Sequence, residues 1–576
     1  MCNTCDMAYI IADNILSPLG ETTEQNYNAV LNGNSALAHY SHKWNLPISF
    51  CASLFTEEQN KRINKDELTH FESMVLFSIK QAIAQTQIDI SSPRVVLVLS
   101  TTKGNVEILG DNKHDIQTEL PGKSAQKIAS ILGMTSSPIV VCNACISGVS
   151  AIIIASRLIE SKVYDNVIVC GADSQSPFIV SGFQSLMALS ETVCKPFDME
   201  RTGLNLGEAA ATIILSNFPK DEYTLDNSWC IENGVIRNDS YHISAPSKNG
   251  EGAYLALRSL VDKDVCGEVA FINAHGTATM FNDQMESVAI ERSGLSNIPV
   301  NAYKGYYGHT MGAAGVLETI LSMKALSHNM IIGTKEFNEL GVSGKINVLP
   351  KSIETNGKKF IKMISGFGGC NASMLVSKGE VKMHANRTTK CSHKVTHHVI
   401  ITTSQVILDD RVLLEDNIEG LFITSVYKHF VDDYPKFYKM DKLSRLGFVA
   451  SELLLKAENS NRHEGLEDRA IIIFNSSSSI DSDLKYQKSI ENDKEFFPSP
   501  SVFVYTLPNI VTGEIALRHR YYGETSFYIL PSRNDLLMDK IILSSTLDQS
   551  ITSILTGWLD YYADNNYIAD LKLIDF

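Results

Sequence analysis

At 576 residues the chain is long enough for more than one domain, and 44% hydrophobic with 20% charged residues is ordinary for a soluble globular protein. A net charge of −15 argues against nucleic acid as a partner. The start MCNTCDMAYI has no basic region, no apolar span of about 18 residues is uninterrupted, and the 11 cysteines lack disulfide-like spacing, which together point to a cytoplasmic protein with no membrane span.

In chain order, Cys2 and Cys5 mimic half a zinc site, but no second pair completes it and no metal is expected. THFESMVLFSIKQAI at 69–83 reads as a helix. PIVV, from Pro138 to Val141, has the composition and length of a buried strand, and a long apolar helical pattern, ISGVSAIIIASRLIES, begins right after Cys145. Cys145 therefore sits at a strand-to-helix turn, where unpaired amides and the helix dipole favour the thiolate. Ser147 and Gly148 keep that turn narrow enough for a thioester carbonyl to approach. Cys142, inside the strand, is expected to be a buried structural cysteine.

His275 follows the short strand FINA and precedes Gly276, Thr277, Ala278 and Thr279. His309 lies in a second turn, KGYYGHTMGAAG at 304–315, whose small residues allow close approach of backbone to ligand or of helix to helix. In ISGFGGCNAS, Gly366, Gly368 and Gly369 flank Phe367. Taken singly, such a cysteine or histidine is more often packed than catalytic. Four segments in this order suggest one thiol and two imidazoles converging on a pocket suited to carbon–carbon bond formation on thioesters.

The order Cys145, HGTAT at 275–279, KGYYGHTMGAAG at 304–315 and GFGGCN at 366–371 closely resembles the β-ketoacyl synthases, the decarboxylating condensing enzymes of fatty acid and polyketide synthesis. ALSETVCKPFDMERTGLNLGEAAA at 188–211 is similar to the family's stretch between nucleophile and first histidine, and the resemblance runs from about Tyr9 to about Ser377. It implies an α/β, thiolase-like fold with layers α-β-α-β-α and two pseudo-symmetric halves, 1–220 with the nucleophile and 221–378 with both histidines. It further implies that Cys145 carries the acyl group and that His275 and His309 stabilise the enolate left when malonyl-thioester loses carbon dioxide. Lys304 and Glu318 would form a charged pair orienting His309. The amides of Cys145 and Phe367 would hold the oxyanion, and the Phe367 ring would gate acyl access. Thr277 and Thr279 would contact phosphopantetheine, with Gly368 also binding substrate. No cofactor is implied, because acyl and malonyl thioesters arrive on the phosphopantetheine of acyl carrier protein. Two departures, Asn143 where many relatives have threonine and Leu204 where a bulky aromatic is frequent, leave the acyl preference open.

After Ser377, the polar stretch at 379–398 has the look of a linker, and apolar structure resumes over 399–576. This tail reads as a partial copy of the first half. PGKSAQKIASILGMTSSPIVVCNAC at 121–145 aligns without gaps to PNIVTGEIALRHRYYGETSFYILPS at 508–532, placing Ser532 opposite Cys145. VIVCGAD at 167–173 meets SILTGWLD near Gly557, and 441–457 parallels the helix at 69–83. The copy has no cysteine and no equivalent of HGTAT or GHT, so it is expected to be noncatalytic. Histidines 397, 398, 429, 463 and 519 are expected in the linker or on the surface. The tail resembles the truncated partners of aryl polyene and flexirubin-type condensing enzymes, akin in role to chain-length factors. It predicts that TSFYIL at 525–530 pairs with PIVVCN at 138–143 to make an intrachain pseudo-dimer, with a homodimer as the alternative. Carrier proteins are acidic as a class, so a local basic patch is needed, and Lys436, Lys439, Lys442 and Arg445 are its candidates. Rival readings are a non-decarboxylating thiolase using Cys370, a starter-unit synthase using Asn371, and a noncatalytic chain-length factor or scaffold.

Overall fold

Apolar runs such as VVLVLS and NVIVCGAD are buried on both faces, as suits parallel strands covered by helices. The computed structural model of the chain describes residues 7–109, 115–219, 228–261, 267–379, 388–390, 392–415, 422–458, 465–491 and 496–576. The first sheet contains β1 (Ala8–Leu16), β2 (Val95–Ser100), β3 (Ile139–Val141), β4 (Asn166–Asp173) and β5 (Ala209–Ser216). Its order is β3-β2-β4-β5-β1; the pairs involving β2 are parallel and the others antiparallel. The second contains β6 (Trp229–Asn238), β7 (Val269–Asn273), β8 (Pro299–Asn301), β9 (Lys359–Ser365) and β10 (Cys370–Lys378). It repeats that order and those directions as β8-β7-β9-β10-β6.

Helices Ser147–Glu160 and Ala314–Ser327 are almost wholly buried and share one core with both sheets. Helix His70–Ile83, started by a capping box between Thr69 and Glu72, covers the outer face of the first sheet. Helices Glu251–Arg258 and Met280–Arg292 cover the second. The layers are therefore helix, sheet, helix, sheet, helix, the thiolase-like arrangement.

The same five-strand order occurs a third time, in β11 (Lys394–Ile401), β12 (Arg469–Asn475), β13 (Thr525–Ile529), β14 (Ser553–Ala563) and β15 (Asn566–Asp575). These run β13-β12-β14-β15-β11 with the same directions. Strand β13 pairs antiparallel with β3, Tyr528 opposite Val141 and Ile529 opposite Val140. In the gapless alignment of 121–145 with 508–532, Tyr528 is the counterpart of Val141. Each thus faces its own equivalent, as a two-fold axis through the ladder requires. Two buried ion pairs fasten the join, Arg157–Glu524 at 2.7 Å and Arg237–Asp548 at 2.6 Å.

Three expectations need correction. The expected linker ends early, because β11 begins at Lys394; its alternating polar residues bond laterally, His397 to Asp409 and His398 to Asp570. Residues 380–387 and 391 lie outside the described residues. His519 is not on the surface: it is fully buried, with Nε2 3.0 Å from Glu452. The basic cluster is largely spent internally. Lys436 binds Glu514 and Lys442 binds Asp564, each at 2.7 Å, while Arg445 donates to the carbonyls of Phe437 and Tyr438.

Candidate active site

Every expected catalytic side chain except Glu318 follows the carboxyl end of a strand, where open α/β sheets bind ligands. Cys145 follows β3, His275 follows β7, Lys304 and His309 follow β8, and Phe367 follows β9. The two halves meet because both buried helices begin with glycine contacts. A Cβ on Gly148 would lie 2.9 Å from the Gly312 carbonyl, and one on Gly315 would lie 2.4 Å from the Val149 nitrogen. That contact brings the turns just upstream of the helices, carrying Cys145 and His309, together.

One ligand-capable atom from each of Cys145, His275 and His309 lies within 4.8 Å of the others. The imidazoles cross edge to face with centroids 5.0 Å apart. The residues beside two of these groups, Ala144 (φ 47°) and Met311 (φ 48°), are non-glycines in the left-handed region, a strain of about 1–3 kcal/mol each that the surrounding packing holds. His309 Nδ1 accepts from the Met311 amide at 3.3 Å. Nδ1 is then the unprotonated nitrogen, so Nε2–H remains as a buried donor with no partner among the described residues.

Behind the imidazoles lies a charge network. Lys304 donates to the His275 carbonyl at 2.6 Å and to Glu318 Oε1 at 2.8 Å. Lys362, fully buried on β9, donates to Glu318 Oε2 at 2.5 Å and to Asn273 Oδ1 at 2.7 Å. Burial opposes the Glu318 charge, but Lys304 and Lys362 together hold its pKa below the ordinary carboxylate value. Glu318 therefore serves two lysines, where the sequence suggested one. Glu286 fixes the first histidine's loop, accepting from the amides of His275 at 2.7 Å and Gly276 at 2.8 Å. Asp173 fixes the second, accepting from the Gly312 amide at 2.7 Å and from Thr101 and Thr102.

Burial, then Lys304, pulls the pKa of both imidazoles well below 6.5. The fold prefers them neutral while the unfolded chain protonates near 6.5, so they cost stability as the pH falls below that value. Decarboxylation of a malonyl thioester is accordingly expected to stay level from about pH 8 to pH 6; a limb centred near 6.5 would mean that one imidazole titrates normally. Cys145 departs from expectation: burial pushes its thiol up to about 12, partly offset by Lys304.

A cleft of about 420 Å³ leads to these groups, with Thr277, Thr279 and Leu204 on its walls. Thr277 and Thr279 are hydroxyl-to-hydroxyl at 2.9 Å. Phe367 and Phe183, stacked at 6.3 Å, part this cleft from an inner apolar channel that also starts at Cys145. Gly368 does not line the cleft; a Cβ there would lie 2.8 Å from Asn509. Sequence reading missed the contribution of the C-terminal region. Phe503 and Leu507 line the inner channel, and Asn509 donates to the Phe367 carbonyl at 2.8 Å. Asn143, read as a departure affecting acyl preference, accepts from the Phe527 amide at 2.7 Å and so pins β13.

Residues 9–219 match the N-terminal domain of β-ketoacyl synthases and residues 230–338 match their C-terminal domain. The chain belongs to the β-ketoacyl synthase family. It is 24% identical to a 3-oxoacyl-[acyl-carrier-protein] synthase 2 of Vibrio cholerae over 402 residues, 63% of this chain and 97% of that one. This β-ketoacyl synthase is thus an acyltransferase of the condensing type. A ketosynthase in complex with its chain length factor, ApeO with ApeC from Xenorhabdus doucetiae, is similar at 25% identity with TM-score 0.54, covering 66% of this chain and 100% of that one. The PfaC keto synthase–chain length factor matches 99% of this synthase, and 78% of its own length is covered, with TM-score 0.79 at 14% identity. That fold likeness includes residues 394–576. No helix among the described residues is long and apolar enough to cross a membrane.

Proposed function

We propose that Cys145, His275 and His309 carry out decarboxylative Claisen condensation of an acyl thioester with malonyl on acyl carrier protein. The observation that carries this reading is one thiol and two neutral imidazoles within 4.8 Å at the floor of a single cleft. Cys145 attacks the acyl thioester, and its proton leaves with the phosphopantetheine thiol. Malonyl-thioester then loses carbon dioxide, and His309 Nε2–H with His275 stabilises the enolate oxygen. The enolate carbon attacks the acyl carbonyl, whose oxyanion the Cys145 and Phe367 amides hold. That attack forms the carbon–carbon bond; collapse of the oxyanion restores the carbonyl and breaks the carbon–sulfur bond, releasing Cys145 thiolate, which regains a proton from solvent. Lys304 and Glu318 orient the imidazoles, Thr277 and Thr279 contact the phosphopantetheine arm, and Phe367 gates the acyl chain. The substrates bring the only prosthetic group required.

Residues 394–576 are, in this reading, a noncatalytic synthase-like partner fused in cis, making the molecule an intrachain pseudo-dimer. The pairing of β13 with the β3 edge supports this reading over a homodimer through that edge. The tail's resemblance favours an aryl polyene or flexirubin-type pathway in the cytoplasm. Phe503 in the channel wall gives the partner a means to shape the acyl chain.

The test supplies acyl-carrier and malonyl-carrier and follows carbon dioxide together with product mass. A β-ketoacyl product two carbons longer, with carbon dioxide released, is expected; transfer without carbon dioxide would favour a thiolase, and neither would favour a scaffold. Phe503→Leu is expected to move the product distribution toward longer chains, and an unchanged distribution would remove the tail from the channel's function.

A further inference from the structure

The inner channel is not wholly apolar. Ile179, Phe183, Phe503 and Leu507 make its sides apolar, and Lys103 also lines it. The same lysine borders a second small cavity, lined by Val106, Leu109, Leu120 and Ile480 together with Glu119 and Asp483. Lys103 is only 7% exposed, and its ammonium donates to Asp483 Oδ1 at 2.6 Å, to Ser479 Oγ at 3.5 Å and to the Thr506 carbonyl. Three donors meet three acceptors, so its capacity is filled. Glu119 differs. It is 8% exposed, and its Oε2 is buried without a partner among the described residues. Burial and then the charge of Asp483 push its carboxyl up to about 7. A buried carboxyl oxygen without a partner is costly and calls for an explanation in a native fold.

We propose that this second cavity receives the far end of the acyl chain and selects chains that end in a hydroxyl group, bound by Glu119. The proposal rests on the condensing function given above. A hydroxyl donates to Glu119 when it is a carboxylate and accepts from it when it is an acid, so it suits both forms near neutral pH. A terminal carboxylate would meet the charges of Glu119 and Asp483. A terminal methyl would leave Glu119 desolvated and unpaired. Lys103, anchored to Asp483 of the C-terminal region, is a positioning residue that keeps the approach to Glu119 at one place. The free space is about 20 Å³ in the channel and about 10 Å³ in the cavity, so the chain enters by displacing wall side chains, Phe367 and Phe503 in the channel and the stem of Lys103, which lines both spaces.

The test uses the full-length protein, malonyl-carrier and a length series of acyl-carrier primers in matched pairs, one ending in methyl and one in hydroxyl. At the length that reaches the cavity, the wild type is expected to extend the hydroxyl-ended primer about tenfold faster or more, a difference of about 1.4 kcal/mol. Glu119→Leu should erase or invert that preference, Glu119→Gln should keep part of it, and short primers should be extended equally by all three proteins. Short-primer turnover also reports that a variant is folded; where Glu119→Leu fails it, Glu119→Gln decides by a reduced preference. Equal rates for both ends at every length, or a preference that survives Glu119→Leu, would overturn the inference alone. No extension of any primer would overturn the condensing function, and this inference with it.

Discussion

His309→Ala is expected to slow decarboxylation of malonyl-carrier by about 10²–10³-fold, or about 2.7–4 kcal/mol of transition-state stabilisation. The magnitude is large because Nε2–H is a buried donor with its direction fixed by the bond from the Met311 amide to Nδ1. It needs no reorganisation when negative charge develops on the enolate oxygen. The same variant should still acylate Cys145, since the oxyanion of that step falls to backbone amides. Intact-protein mass measures acylation and carbon dioxide release measures decarboxylation. Equal loss in both steps would mean that the imidazole serves the cysteine, and the enolate role would fall.

The second large effect concerns stability. Glu318→Ala is expected to destabilise the fold by about 3–5 kcal/mol, the cost of leaving a buried charge uncompensated. Glu318 faces two fully buried lysines at 2.8 and 2.5 Å, so its removal orphans both, and the upper end of that range applies. The double variant Glu318→Ala with Lys362→Met should recover part of the loss, because one of the orphaned charges is gone. Denaturant midpoints of the three proteins measure this. A single variant within about 1 kcal/mol of wild type would show that water reaches the site and that the network is not the desolvated frame described here.

How much of this was legible in the sequence follows from the range over which each signal acts. Cys145, His275 and His309 were legible because small residues mark turns where backbone approaches a ligand, and that signal is local. The β3–β13 pairing was legible because two segments of 25 residues align without a gap and share a proline and an Ile-Ala pair. Lys362 escaped notice although a lysine inside the buried strand KFIKMIS was a visible anomaly; its partner is 44 residues away. Asn143 and Asn509 were illegible in role, since each acts on a chain segment more than 100 residues distant. The basic cluster and His519 misled because charges were read without their partners, Glu514, Asp564 and Glu452, which only the fold brings near.

The most direct measurement is made on wild type and Cys145→Ala, each given an acyl-carrier donor and then malonyl-carrier, with protein and product masses read at both stages. Wild type is expected to gain one acyl group, on Cys145, and then to yield a product two carbons longer, while Cys145→Ala gains none and condenses nothing. Acylation at another residue, or condensation by Cys145→Ala, would contradict Cys145 as the nucleophile.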